Sequence, residues 1–257
     1  MKEYQVITLY SEELKKEKRI HVYLPENYYQ KDEFYRVLYM HDGQNLFDDK
    51  QAYMNRSWRI MNLYEENSDL PELIIVGIDS DDDRADELLP IKIDFKDGSR
   101  AGGKANMYLD FITKTVKPLI DKKYRTFKSP KNTGIMGSSF GGVNTTYAAI
   151  KYNAYFSRFG AVSNAYFYGE MDNYIIDLLS DSQIKRVKKF YMDVGTKESE
   201  DKDFMESYIE CNNKVYKELS NYLDDTKLRF NIIENAIHHE TAWEKRFPEI
   251  VKFMFKD

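Results

Sequence analysis

Polar and apolar residues along the chain alternate in two rhythms. Alternation at every second position marks residues 4–10 and 19–24, with Pro25 closing the second stretch, and predicts an antiparallel N-terminal ribbon. Short, nearly continuous apolar runs then recur at 35–40 (YRVLYM), 72–78 (ELIIVGI), 133–136, 159–163, 189–194 (KFYMDV) and 228–233 (LRFNII), the signature of strands buried on both faces. Between them, apolar residues at helical spacing predict helices over 58–66, 105–123, 141–152, 204–223 and 241–255. The second of these carries Met107, Phe111, Val116 and Ile120 on one stripe. Strand and helix in turn imply an α/β architecture: a mostly parallel central sheet with an antiparallel N-terminal ribbon and helices on both faces. No repeat, low-complexity tract or Pro/Gly-rich linker divides residues 1–257, which read as a single domain. One longer connection, 79–103, is expected over the C-terminal edge of the sheet, where such folds hold ligands.

Composition narrows the function classes. With 42% hydrophobic and 32% charged residues, the chain can fill a doubly covered sheet. A net charge of -5 argues against nucleic acid, whose binders gather Lys and Arg on one face. A single cysteine, Cys211, permits no internal disulfide, and no apolar run approaches membrane-spanning length. The expectation is a cytoplasmic protein with no membrane and no nucleic-acid partner. Its oligomeric state is not legible.

The chemistry starts at Gly137, Ser138, Ser139, Phe140, Gly141, which fits G-x-S-x-G between an apolar strand and a helical pattern. Such a turn lifts one hydroxyl clear of the sheet, so Ser139 is the expected nucleophile, and Ser138 occupies a neighbouring position that points elsewhere. A serine hydroxyl needs a base. Among the four histidines, His21 lies in the ribbon and His41 follows the third strand. His238 and His239 follow the last strand, where the order serine, acid, histidine places the base. His238 is the first choice and His239 the alternative. The acid should follow KFYMDV: Glu198 comes first, directly after a Gly-Thr turn, with Asp193 and Asp201 as alternatives and Glu200 and Asp203 nearby. The oxyanion hole is expected from the backbone N–H groups of Phe140 and Gln44, with Gly43 letting the second loop turn inward. Asp42 in that loop, and Tyr166 and Phe167 after the strand ending near Ser163, are the expected substrate contacts. No metal is expected, because neither H-E-x-x-H nor C-x-x-C spacing occurs, and Asp81, Asp82 and Asp83 lack the spacing of a calcium loop and read as a solvated face. Gly102, Gly103 and Lys104 lack the context of a phosphate loop, so no cofactor is expected, and Cys211 reads as inert.

Several segments together resemble the "Putative esterase", or esterase D-like, family of α/β-hydrolases: LYMHDGQNLFD (38–48), IIVGIDSDDDRADELLP (74–90), MGSSFGG (136–142), YMDVGTKE (191–198) and HHETAW (238–243). The resemblance implies an α/β-hydrolase fold and a serine esterase, with Ser139, Glu198 and His238 as catalytic triad and the loop at Gln44 as an oxyanion donor. The family usually reads H-N-E where this chain has His238, His239, Glu240. It spans short-acyl carboxylesterases, feruloyl and acetyl-xylan esterases, siderophore trilactone esterases and mycolyltransferases. Three readings therefore stand beside a small-ester carboxylesterase: a siderophore esterase, a thioesterase, and a non-catalytic binding protein that keeps the fold. A basic cleft reaching Arg84 or Lys104 would favour the siderophore reading.

Overall fold

A computed structural model describes residues 4–180 and 184–256. In chain order the elements are β1 (Gln5–Ser11), β2 (Lys16–Tyr23), β3 (Arg36–His41), α1 (Ile60–Glu66), β4 (Leu73–Ile78), α2 (Arg84–Leu88), β5 (Lys92–Asp94), β6 (Arg100–Gly102) and α3 (Ala105–Asp110). There follow a π-helical stretch (Phe111–Val116), α4 (Lys117–Lys123), β7 (Thr133–Ser138), α5 (Phe140–Lys151), β8 (Arg158–Val162), α6 (Met171–Ser180), β9 (Lys189–Lys197), α7 (Lys202–Leu219), β10 (Leu228–Ile237) and α8 (Glu240–Phe255). The main sheet runs β1-β2-β4-β3-β7-β8-β9-β10. β1, β2 and β4 pair antiparallel, and every neighbour from β4 onward is parallel. The fold is that of an α/β-hydrolase.

Why the sheet is covered twice follows from its central strands. In β3, Val37 and Tyr39 join the core that packs α3 to α7, whereas Leu38 and Met40 join the core against α1 and α8. Ile74 and Val76 of β4 likewise face the first core, and Leu73 and Ile75 the second. A strand with no solvent side has no reason to alternate polar residues, which is why these read as unbroken apolar runs.

Several boundaries differ from the sequence reading for identifiable reasons. The helix expected over 105–123 changes to π geometry at Phe111–Val116, just before Pro118, whose missing N–H breaks the regular ladder. Met107, placed on its buried stripe, is exposed. Strand β10 extends past Ile233 to Ile237 because a register shift between those residues absorbs the break in alternation, with Asn235 at φ 59° and its N–H donating to Thr196 Oγ1 at 2.8 Å. Helix α7 opens at Lys202 because Asp201 caps it, accepting from the Phe204 N–H at 3.1 Å. The connection 79–103 holds α2 and the β5–β6 hairpin, and the segment after β8 holds α6. Neither set was expected from the sequence.

Candidate active site

Ser139 is the single residue between β7 and α5, and its backbone takes φ 60° and ψ −121°. An L residue holds such angles only where its surroundings enforce them. Here the Ser139 N–H donates to the Val162 carbonyl at 2.9 Å, and the Ser139 carbonyl accepts from Gly142 and Val143 at 3.1 and 3.2 Å. The turn is tight enough that a Cβ on Gly137 would stand 2.5 Å from His41 Cδ2 and 3.0 Å from the Gly141 backbone. Ser138 is buried beside it on β7.

His41 fills the space that the two glycines leave. Its Nδ1 lies 2.9 Å from the Tyr108 hydroxyl, and burial lowers its pKa from 6.5 to about 4. The unfolded imidazole titrates near 6.5, so as pH falls below that value the unfolded chain takes up a proton that the folded state refuses. Folding stability should therefore drop by about 3 kcal/mol between pH 6.5 and 4 from this group alone. Urea denaturation of wild type and His41→Gln across that range checks this: the variant's stability should depend less steeply on pH, and parallel curves would contradict it.

His238 follows β10 directly, because the strand continues past its irregularity, and Glu198 follows β9. The two strand ends are neighbours, and His238 Nδ1 lies 2.7 Å from Glu198 Oε2. A proton on Nδ1 facing the carboxylate leaves Nε2 as the free base of the ring. Burial would raise the Glu198 pKa, but His238, the Ser163 hydroxyl and the Gly195 N–H more than offset it and hold the group below its ordinary 4.5. Both Ser163 Oγ and Gly195 N donate to Oε1 at 2.6 Å.

Of the other acids considered, Asp193 is buried and accepts from Arg246, the Ser163 N–H and the Tyr191 hydroxyl, each at 2.9 Å. Asp201 caps α7, and Glu200 and Asp203 are exposed. His239 caps α8, its Nδ1 accepting from the Thr241 N–H at 3.2 Å. Among these candidates the structure brings together His238 and Glu198.

Residues the sequence reading did not single out build the surroundings of this pair. The Ser163 hydroxyl, which donates to Glu198, accepts from Trp243 Nε1 at 2.9 Å and Arg246 at 3.1 Å. The Tyr208 hydroxyl donates to the Ser163 carbonyl at 2.8 Å and sits 3.2 Å from His238 Nδ1. The Arg246–Asp193 pair beneath them is almost wholly buried, so removing the guanidinium strands a carboxylate. Arg246→Met should lower unfolding free energy by about 3 to 5 kcal/mol in urea titrations, and a loss under about 1 kcal/mol would show the pair to be incidental.

Ser139, His238 and Gln44 line one cleft of about 760 Å³, within the size range of small-molecule sites. Phe140 follows the serine as the first residue of α5, so its N–H has no intrahelical acceptor, and Gln44 lines the same cleft. Gln44 is fixed through its side chain, whose Oε1 accepts from the Ser80 N–H at 2.9 Å. The residue in left-handed geometry in that loop is Asp42, at φ 56°, rather than Gly43. Gly43 is required for close approach, since a Cβ there would stand 2.7 Å from the Gly77 carbonyl carbon.

The expected substrate contacts fare differently. Asp42 lines the cleft, but its carboxylate is taken by Arg84 at 2.7 and 2.8 Å and by the Ser80 hydroxyl at 2.6 Å. Tyr166 is wholly buried, its hydroxyl 2.5 Å from Thr146 Oγ1, so the proposal that it contacts substrate is corrected: an aromatic residue beside a strand end was core. Phe167 is half-buried and packs on Tyr208 at 4.7 Å between ring centres, behind the cleft rather than in its lining. Asp81 and Asp83 are more engaged than a solvated face: both bind Lys16 Nζ, at 2.9 and 3.0 Å, alongside buried Glu87, which also pairs with Lys18 at 2.7 Å. These three carboxylates lie within 4.8 Å of one another, and the two ammonium groups offset two of their three charges. Burial, with Asp172 nearby, pushes the Cys211 thiol up to about 12, too high for a thiolate nucleophile at neutral pH. Among the described residues no helix is long and apolar enough to cross a membrane.

Comparison with known proteins agrees with this architecture. Residues 11–254 match the family described as Putative esterase. An uncharacterized Bacillus subtilis (strain 168) protein, YbbA, is 25% identical over 245 residues, covering 93% of this chain and 92% of its own. Among solved structures, an IroE-like serine hydrolase from Shewanella oneidensis superposes with a TM-score of 0.79 at 21% identity, covering 98% of this chain and 80% of that one. The enterobactin esterase FES from Shigella flexneri superposes with a TM-score of 0.77 at 16% identity over 99% of this chain and 59% of that one. At these identities the structural likeness speaks for the fold, and the family match speaks for descent: this chain belongs to the Putative esterase family of α/β-hydrolases.

Proposed function

We propose that the chain is a serine carboxylesterase acting on small carboxylic esters. Ser139 Oγ attacks the ester carbonyl while His238 Nε2 takes its proton, and Glu198 holds the imidazole in the required tautomer and stabilises its charged form. The tetrahedral oxyanion is met by the N–H groups of Phe140 and Gln44. Collapse breaks the bond to the alcohol, which departs with the proton from His238, and the acyl group stays on Ser139 Oγ. Water, deprotonated by the same imidazole, then releases the acid. The steps draw on no cofactor.

The observation that carries this reading is the His238–Glu198 contact, with His238 lining the same cleft as Ser139 in its strained turn. The siderophore reading asked for a basic cleft. Arg84 is the lining's lysine-or-arginine side chain, and it is bound by Asp42, while Lys104 pairs with Asp86 at 2.7 Å outside the lining. We keep the small-ester reading for that reason, and because a single cysteine permits no internal disulfide we propose a cytoplasmic location.

A panel of p-nitrophenyl esters from acetate to octanoate, with methyl ferulate and a catecholate trilactone, tests it. Turnover of the simple esters is expected. Hydrolysis of the trilactone alone would favour the siderophore reading, and no turnover of any member the non-catalytic one.

A further inference from the structure

The cleft beside Ser139 carries a carboxyl that the proposed acyl-transfer steps do not use. Glu240 opens α8 two residues after His238, and its side chain is only 7% exposed yet lines the cleft. Its Oε1 accepts a long hydrogen bond, 3.3 Å, from Asn45 Nδ2. Oε2 has the His239 Nε2 at 4.0 Å as its nearest ion-pair partner, and among the described residues no lysine or arginine pairs with it. Its own N–H and its place in the first turn of α8 favour the charge, but no lysine or arginine touches it, and a buried carboxyl without such a contact is costly unless something else completes it.

The rest of the lining says what charge that partner should have. Asp42 is matched by Arg84, and Asp81 by Lys16. That leaves Glu240 and exposed Asp82 as carboxyls without a cation, while the lining's single guanidinium is already committed. An anionic substrate group would meet no free positive charge. A cationic one would meet Glu240 and an aromatic rim: Tyr53 is 72% exposed on the cleft edge, and its loop is tied to Glu240 through Asn45, whose Oδ1 accepts from the Tyr53 N–H at 2.8 Å. Exposed aromatic faces add attraction for an alkylammonium.

We propose that Glu240 determines specificity by receiving a protonated amine, so that the preferred substrates are esters whose alcohol or acyl part carries a positive charge. This deepens the serine-esterase reading and rests on it. Burial raises the Glu240 pKa above its ordinary 4.5, the direction expected of a carboxyl that lacks a cationic partner until substrate arrives.

The test uses two pairs of equal shape. On the alcohol side, 3-(dimethylamino)propyl acetate is compared with 4-methylpentyl acetate. On the acyl side, methyl 4-(dimethylamino)butanoate is compared with methyl 5-methylhexanoate. Acid release is followed by pH-stat at neutral pH, where the amines are protonated. In at least one pair kcat/KM should favour the cation by about tenfold, the size of one charge-assisted hydrogen bond at a partly solvated site. Glu240→Gln should bring that ratio close to one and Glu240→Asp should keep part of it. A ratio within one protein is insensitive to a general loss of activity in the variant. Equal rates within both pairs in the wild type, or an unchanged preference in Glu240→Gln, would overturn the proposal and leave the esterase reading intact. Absence of turnover on all four esters would count against the esterase reading instead. Calorimetric binding of the same pairs to Ser139→Ala then decides the proposal by itself, tighter binding of the cation supporting it and equal affinities overturning it.

Discussion

Ser139→Ala should lower kcat/KM on an activated ester by on the order of a million-fold, and His238→Ala by a similar factor, with the double variant no worse than either single one. The size follows from roles that act as a unit: without the hydroxyl there is no acyl-enzyme, and without the imidazole the hydroxyl is a neutral alcohol at pH 7. The residual rate comes from the oxyanion donors and binding, which neither substitution touches. His239→Ala provides the contrast. Its side chain caps α8 through Thr241 and is in hydrogen-bond contact with no carboxylate, so the loss should be about 1 kcal/mol of stability and less than about tenfold in rate. If His239→Ala, rather than His238→Ala, abolished turnover, the assignment of the base would be reversed.

Glu198→Gln should cost about ten-thousand-fold in kcat with KM little changed, because an amide can present its NH2 to Nδ1 and favour the wrong tautomer. Asp193→Asn and Asp201→Asn serve as controls that separate electrostatics from position. The first disturbs the Arg246 pair and should show in stability, whereas the second keeps a capping oxygen for α7 and should change stability and rate little. The pH dependence has a definite sign. The folded-state pKa of Glu198 lies below its ordinary 4.5, so its contribution to stability is complete above that value and is lost as pH falls through the folded-state pKa. Stability of Glu198→Gln should accordingly converge on that of wild type in strong acid and diverge from it toward neutrality. Curves that stay a constant distance apart would mean that the carboxylate's charge is not what the site uses.

What could be read from the sequence and what could not divides along a physical line. The positions of Ser139 and Glu198 were legible because each stands at the C-terminal end of a buried parallel strand, which announces itself as an apolar run, whereas His238 follows β10, a half-exposed edge strand found by its order after the acid. The closeness of Glu198 and His238 follows from the pairing of β9 with β10. Ser163, Tyr208, Trp243 and Arg246, which build the shell around Glu198, come from β8's end, α7 and α8, and no local pattern joins them. Glu240 stands two residues after the chosen histidine, but its burial without a contacting lysine or arginine is a property of packing that no local pattern shows. The extension of β10 was hidden by its irregularity at Asn235, where alternation fails although the chain returns to the sheet. Tyr166 failed for the opposite reason. A tyrosine after a strand end suggests a pocket wall, but its hydroxyl found Thr146 on α5 inside the core.

The most direct test of the central claim is intact-protein and peptide mass spectrometry after reaction with a fluorophosphonate. The account predicts one adduct per chain, on the peptide that holds Ser139, absent from Ser139→Ala and formed far more slowly by His238→Ala. A folded wild-type protein that gains no adduct, or that carries it on another residue such as Ser138 or Ser163, would contradict it.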